Sequence, residues 1–410
     1  MKFFIKIICI SIVIAHASNA QRNKTIGFDI NSSRKKAEIP FENYNNLILI
    51  PVVLNNALPL KFILDTGVRT TILTDRTLSD LISINYDRKI PLVGVDGLKI
   101  VDAFVANNIS LKLPGVTGKG QSLLVLEEDF LQLKNYLGVE VHGILGYELF
   151  RRFIVKINYD RKIITLYEPA FFKPNKRFAE IPMSLEDTKP YIHLDVIQMN
   201  GKKVKTKLLL DTGASHTILL NQDTHEHIGY PEKKIESVLG RSIGGSVFGF
   251  LGRVKRIKLD KFEFEEVIAS FPEPQELDIY KEQNRNGTIG GGLLGRFITV
   301  IDYFNEKIYL KKGKDYRKSF EYNMSGIEVK TTGSHLDTFV IQSIRKNSPS
   351  ERVGILKGDK IVSLNGHATK SLSLNDINSA FRSKEGRSVK IIVERGDKIL
   401  KKRFRLEKVL

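Results

Sequence analysis

Two aspartates, Asp65 and Asp211, sit in copies of one short stretch. Lys61 to Leu73 reads K-F-I-L-D-T-G-V-R-T-T-I-L, and Lys207 to Leu219 reads K-L-L-L-D-T-G-A-S-H-T-I-L. In each, an apolar run of strand type ends on Asp-Thr-Gly, and a Thr with two aliphatic residues follows at the same offset. An Asp at the end of a hydrophobic strand is costly unless it is hydrogen-bonded or put to use. A glycine two residues later frees the backbone to turn tightly and lets another chain come close. One such turn reads as a structural Asx-turn; two matching copies read as a pair that works together. Two carboxylates sharing a site cannot both ionise, so one keeps a proton while the other stays charged. The charged one can then take a proton from water while its partner donates one to a carbonyl oxygen.

The elements around the acids are also duplicated. Leu47 to Leu54, a turn at Asn55-Asn56 and Leu60 to Leu64 form a hairpin that delivers Asp65. Tyr191 to Val196, the strong turn Asn200-Gly201 and Val204 to Leu210 deliver Asp211 in the same way. Gly143-Ile144-Leu145-Gly146 aligns with Gly292-Leu293-Leu294-Gly295, and Phe153 to Tyr159 with Phe297 to Tyr303. In this alignment the second copy lacks the short helix expected over Tyr147 to Arg152, passing from Gly295 almost directly to Phe297. Residues 40–170 and 180–312 therefore read as two copies of one β-rich unit, facing each other with the site between them.

The doubled D-T-G-x-x-x-T, each followed by aliphatic-aliphatic-Gly, resembles the pepsin/retropepsin aspartic proteases. The segment lengths resemble retropepsin-like domains in tandem, as in bacterial secreted aspartyl proteases. The resemblance implies a mainly β, two-lobed pepsin-like β-barrel fold, with Asp65 and Asp211 as the catalytic pair and no cofactor. It implies that Thr66 and Thr212 brace each other beneath the acids, and that Gly67 and Gly213 bring backbone carbonyls near the substrate main chain. Ile144-Leu145-Gly146 and Leu293-Leu294-Gly295 would pack behind the acid loops. Val68 stands where the second copy has the small Ala214, and is expected to crowd the position behind Asp65. A lid is expected from a glycine hairpin in each half. The better flap candidate is Ser242 to Gly249, through Gly244 and Gly245; the other is Val93-Gly94-Val95-Asp96-Gly97. With both acids on one chain, the protein is expected to act as a monomer.

Past Lys311-Lys312-Gly313-Lys314-Asp315, a basic stretch read as a flexible boundary, the pattern changes. Ser348 to Gly366 reads S-P-x-x-x-x-G-I-x-x-G-D-x-I-x-x-L-N-G, and residues 322–408 resemble a PDZ domain of the bacterial type. That resemblance implies capture of a peptide C-terminus as an added strand beside the second helix, Leu374 to Arg382. The matching peptide loop is Ser325-Gly326-Ile327. Joined after the second lobe has closed, the domain is expected to deliver substrate rather than take part in chemistry.

At 410 residues the chain is long enough for two or three domains. Its formal charge of +18 is spread along the sequence and accompanies no nucleic-acid module, so a solvated basic surface is expected, with no nucleic-acid partner. Residues 1–20 read as an export signal, with Lys2 and Lys6, an apolar Ile7 to Ala15, and Ser18-Asn19-Ala20 as cleavage site. The apolar stretch is too short to span a bilayer and no later segment is long enough. A periplasmic, cell-surface or secreted bacterial protein is the expectation. The single cysteine, Cys9, lies in that signal, so the exported chain would have neither thiol nor disulfide. Eight scattered His offer no metal spacing, and no covalent nucleophile is expected. His216, in the second acid loop, reads as a surface histidine. The sequence thus reads as an exported aspartic endopeptidase acting on polypeptides, with a PDZ domain for substrate or partner C-termini. The rival reading is a non-catalytic peptide-binding protein with the same cleft and domain.

Overall fold

The computed structural model describes residues 26–31, 33, 35–93, 99–242, 245–274 and 284–410. The expected signal at residues 1–20 with Cys9, residues 94–97 of one flap candidate and Ile243 and Gly244 of the other lie outside the described residues. The chain is mainly β. Lobe 1 is built on a nine-stranded sheet and lobe 2 on an eight-stranded one. A further six-stranded sheet joins them, in the order Ala179–Pro182, Lys307–Lys312, Phe297–Asp302, Ile154–Asn158, Ile163–Tyr167, Lys36–Pro40. Each half supplies three of these strands, and the central pair is antiparallel, with Val155 opposite Ile301 and Ile157 opposite Thr299. Backbone hydrogen bonds therefore hold one lobe to the other, with Phe153, Val155, Phe297 and Ile301 buried along the seam.

The acid strands repeat in detail. Leu58–Leu64 lies between Leu47–Leu54, antiparallel, and Gly143–Leu145, parallel; Thr71–Leu73 then pairs antiparallel with Gly143–Leu145. In lobe 2, Lys203–Leu210 pairs parallel with Gly287–Ile289, which pairs antiparallel with Ile218–Leu220. This register makes Gly287-Thr288-Ile289-Gly290, not Gly292 to Gly295, the counterpart of Gly143-Ile144-Leu145-Gly146. The Asp65 amide donates to Leu145 O and the Asp211 amide to Ile289 O, each at 2.9 Å. The expected absence of a helix in lobe 2 is overturned too: Gly291–Leu294 is helical and corresponds to Tyr147–Phe150. Both helices start on an amide bonded to the acid loop, Tyr147 N to Val68 O at 2.9 Å and Gly291 N to Ala214 O at 2.7 Å. Close approach explains the two glycines. A Cβ at Gly146 would stand 2.1 Å from Asp65 O, and one at Gly290 would stand 2.4 Å from His216 O.

The C-terminal domain is a six-stranded sheet with Ile327–Thr332 at one edge, paired only with Thr338–Ile344. Helix Leu374–Phe381 starts in a capping box between Ser373 and Asp376 and buries Leu374, Ile377 and Phe381. The boundary stretch is held, not loose. Lys311 and Lys312 belong to a strand of the shared sheet. The Arg296 guanidinium donates to the carbonyls of Asp315, Lys318 and Ser319 and lies 3.5 Å from the centre of the Phe320 ring. Among the described residues no helix is long and apolar enough to cross a membrane.

Candidate active site

Each Asp ends a buried strand and turns back on itself, so that its carboxylate collects amides of its own loop. Gly67 N donates to Asp65 Oδ1 at 2.6 Å and Gly213 N to Asp211 Oδ1 at 2.9 Å. The Val68 and Ala214 amides serve the same two carboxylates. Beneath them Thr66 and Thr212, 1% and 0% exposed, are crossed. Thr66 N donates to Thr212 Oγ1 and Thr212 N to Thr66 Oγ1, both at 3.1 Å. Each hydroxyl then donates across the lobes, Thr66 to Leu210 O and Thr212 to Leu64 O at 2.8 Å. Buried polar groups need partners, and here each loop satisfies the other's. The acids are thereby drawn together. A Cβ on Gly67 would stand 3.1 Å from Asp65 Oδ1 and 3.7 Å from Asp211 Oδ1.

Burial, and then the charge of Asp211, push the Asp65 carboxyl well above the usual carboxylate range. Burial also raises Asp211, but the Gly213 amide, the hydrogen bond from Asp65 and the charge of Arg285 oppose it. Both carboxyls are pushed up, Asp65 the more strongly, so the pair favours one proton between them. The pair is thus a donor beside an acceptor in one site.

His216 is half-buried rather than free on the surface: its Nε2 lies 2.5 Å from Thr288 Oγ1, and burial pushes its pKa down to about 4. Thr288, Arg285 and Tyr303 were not singled out from sequence. Arg285 is 8% exposed and its charge reaches Asp211; Tyr303 is buried, with its hydroxyl pushed up by burial and by the acids. No sequence motif marks any of the three. The Val68 side chain joins an apolar cluster with Ile72, Leu131, Leu133 and Ile144. Among the described residues no group of three or more His, Cys, Asp or Glu could hold a metal ion.

In lobe 2 the flap candidate is a hairpin, Lys234–Ser242 with Gly245–Leu259, where Gly245 takes φ +107 opposite Ser242. In lobe 1, Arg88–Val93 pairs with Lys99–Leu113. The loop read as a peptide cradle, with Gly326 and Ile327, is buried. Three amides of this stretch are engaged internally: Ser325 N with Asn323 Oδ1, Ile327 N with Ser325 Oγ, and Met324 N with Phe381 O, each at 3.0 Å.

Residues 50–149 and 196–296 match the aspartyl protease family, one repeat per lobe, and residues 340–395 match the PDZ domain family. The matched family is that of the retropepsin-like aspartyl proteases, and the doubled fold and paired turns agree with the match. The chain is two repeats of that family followed by a PDZ domain. More distant similarity reaches other proteases. The chain is 26% identical over 132 residues to the "Probable CtpA-like serine protease" of Staphylococcus aureus (strain MRSA252), covering 32% of this chain and 26% of that one. It is 23% identical over 118 residues to the "Carboxy-terminal processing protease CtpA" of Bacillus subtilis (strain 168), covering 29% and 25%. The chain spans about a quarter of the length of the curated relatives it matches. Family and relatives together support a protease carrying a PDZ domain.

Proposed function

We propose that the protein is an exported aspartic endopeptidase that hydrolyses peptide bonds of polypeptide substrates with water activated between Asp65 and Asp211. The observation that carries this is the pair itself: two buried carboxyls, each on an amide-lined turn, brought into one site where both cannot ionise freely. Asp211 takes a proton from water as the oxygen attacks the peptide carbonyl carbon, and Asp65 gives its proton to the carbonyl oxygen. The tetrahedral diol then collapses: the C–N bond breaks, the proton on Asp211 passes to the leaving nitrogen, and a diol hydroxyl returns its proton to Asp65, which leaves an acid, an amine and the pair as it began. No acyl-enzyme forms and no cofactor is needed.

The serine chemistry named for the staphylococcal relative is a weaker reading, because the likeness covers a quarter of that chain and the G-x-S-x-G at Gly240 to Gly244 puts Ser242 at the end of a hairpin strand, not on the strand-to-helix turn that such a nucleophile needs. The sheet shared by the lobes supports action as a monomer. Export rests on Lys2, Lys6, the apolar run and the small residues before position 21. The PDZ domain binds peptide C-termini of substrates or partners. Cleavage of a denatured protein across a range of pH, with and without a hydroxyl-bearing peptide isostere, tests the reading. Cleavage blocked by the isostere is expected. Binding of the isostere with no cleavage would leave the rival, a peptide-binding protein without turnover.

A further inference from the structure

A PDZ domain takes up a peptide as an extra strand on the open edge of its sheet, beside its second helix. Here that edge is Ile327–Thr332, and the helix is Leu374–Phe381. The space between them is filled from lobe 1. Helix Leu133–Leu137 packs on the edge strand. The Asn135 side-chain amide donates to Thr331 O at 2.8 Å, and the Thr331 hydroxyl donates to Asn135 O at 3.0 Å. Gln342 Nε2 donates to the Tyr136 hydroxyl at 3.0 Å. Gly138 closes the helix at φ 68, wedged between strand and helix of the domain. A Cβ there would stand 2.7 Å from Leu374 Cβ and 3.3 Å from Thr331 Cγ2. Asn45 of lobe 1 covers the same helix, its amide bonded to Asn375 Oδ1 at 3.4 Å and its side-chain oxygen to Arg382 at 3.2 Å.

We propose that residues 133–138 of lobe 1 are the resident ligand of the PDZ groove, and that a peptide C-terminus enters only by displacing them. Asn135 makes with Thr331 O a bond of the kind that a docked peptide amide makes, so segment and peptide compete for one edge. The cradle loop agrees, since the Ser325 and Ile327 amides are already engaged within it. The displaced segment is not a passive plug. Leu133 shares an apolar cluster with Val68 and Ile144, behind the Asp65 turn, and Leu137 packs with Leu49 and Ile63. At the loop end of the same edge strand the domain shares a cavity of about 200 Å³ with the lobe 2 hairpin, lined by Gly326, Glu328 and Arg345 and by Ser237, Val238 and Phe248. Peptide occupancy is thereby coupled to the support of one acid and to the hairpin opposite. The device answers to a peptide with a free carboxylate.

The inference rests on the domain's binding of peptides and not on catalysis by the acids, and its test uses no cleavage. A pool of random hexapeptides with free carboxylates, and the same pool amidated, is titrated into the full chain, and hydrogen exchange is followed at residues 133–138. Two variants release the segment. Asn135→Ala with Gln342→Ala removes polar contacts and leaves the cores intact; Gly138→Ala drives the segment out by collision. Both variants are expected to bind the free-carboxylate pool at least about tenfold more tightly than the parent, because the competent fraction rises. In the parent, bound peptide is expected to strip protection from residues 133–138. Equal affinity of parent and variants, parent binding with that protection unchanged, or variants that bind no peptide would each overturn the proposal.

Discussion

A Cβ on Gly213 of lobe 2 would stand 2.3 Å from the carboxyl carbon of Asp65 in lobe 1. The acid of one half lies against the backbone of the other, so placement of Asp65 depends on the second half being bare at that point. Gly67 has more room, its nearest atom 3.1 Å away. Gly213→Ala is therefore expected to lower kcat/KM by about a hundredfold, the usual consequence of displacing a reacting group by an ångström. Gly67→Ala should lose much less. Comparing both on one peptide checks the asymmetry, and equal losses contradict it.

The crossed threonines set an expectation for stability. Thr66→Val strips partners from the Thr212 amide and the Leu210 carbonyl, both inside the protein. Leaving two buried groups unpaired costs about 3 kcal/mol. Urea unfolding should register that loss, with Thr66→Ser close to the parent.

Stability should depend on pH in two opposite senses. For Asp65 the folded pKa is raised, so nothing is lost below the unfolded value, near 4. As pH rises from there the unfolded chain releases its proton first, and stability falls until the folded pKa is passed. Asp65→Asn should thus be more stable than the parent at pH 7, with the gap closing below about pH 4. For His216 the folded pKa is lowered from 6.5 to about 4. Stability is lost as pH falls through that window, and His216→Gln should flatten the loss. Urea melts over a series of pH values read both.

Sequence alone suggests a PDZ domain that delivers substrate and can be removed at little cost. The contacts of Arg296 with residues 315–320 and of Asn135 with Thr331 argue otherwise. A chain ending at Lys312 is expected to melt at lower temperature and to cleave even short peptides more slowly. Unchanged short-peptide turnover would restore the delivery reading.

The acid turns were legible because Asp-Thr-Gly occurs twice on equivalent hairpins, a pattern that the fold repeats strand for strand. The glycine strand of lobe 2 was misplaced for a local reason. Thr288 puts a polar residue where lobe 1 has Ile144, while Leu293-Leu294-Gly295, five residues on, imitates the aliphatic motif. Phe297 to Tyr303 reads as a strand in either case, but alternation names no partner, so the sheet joining the lobes was invisible. His216 looked exposed because Thr288, its hydrogen-bond partner, comes 72 residues later.

The most direct test replaces one acid at a time. Asp65→Asn and Asp211→Asn each keep the shape of the side chain but break the arrangement of one proton and one charge. Each alone should lower peptide cleavage by at least about a hundredfold, the contribution of positioned acid–base groups, while circular dichroism shows the fold retained. A fluorophosphonate that captures activated serines should leave the parent active. Parent-like turnover by either variant, or loss of activity to the serine reagent, would contradict the aspartic mechanism.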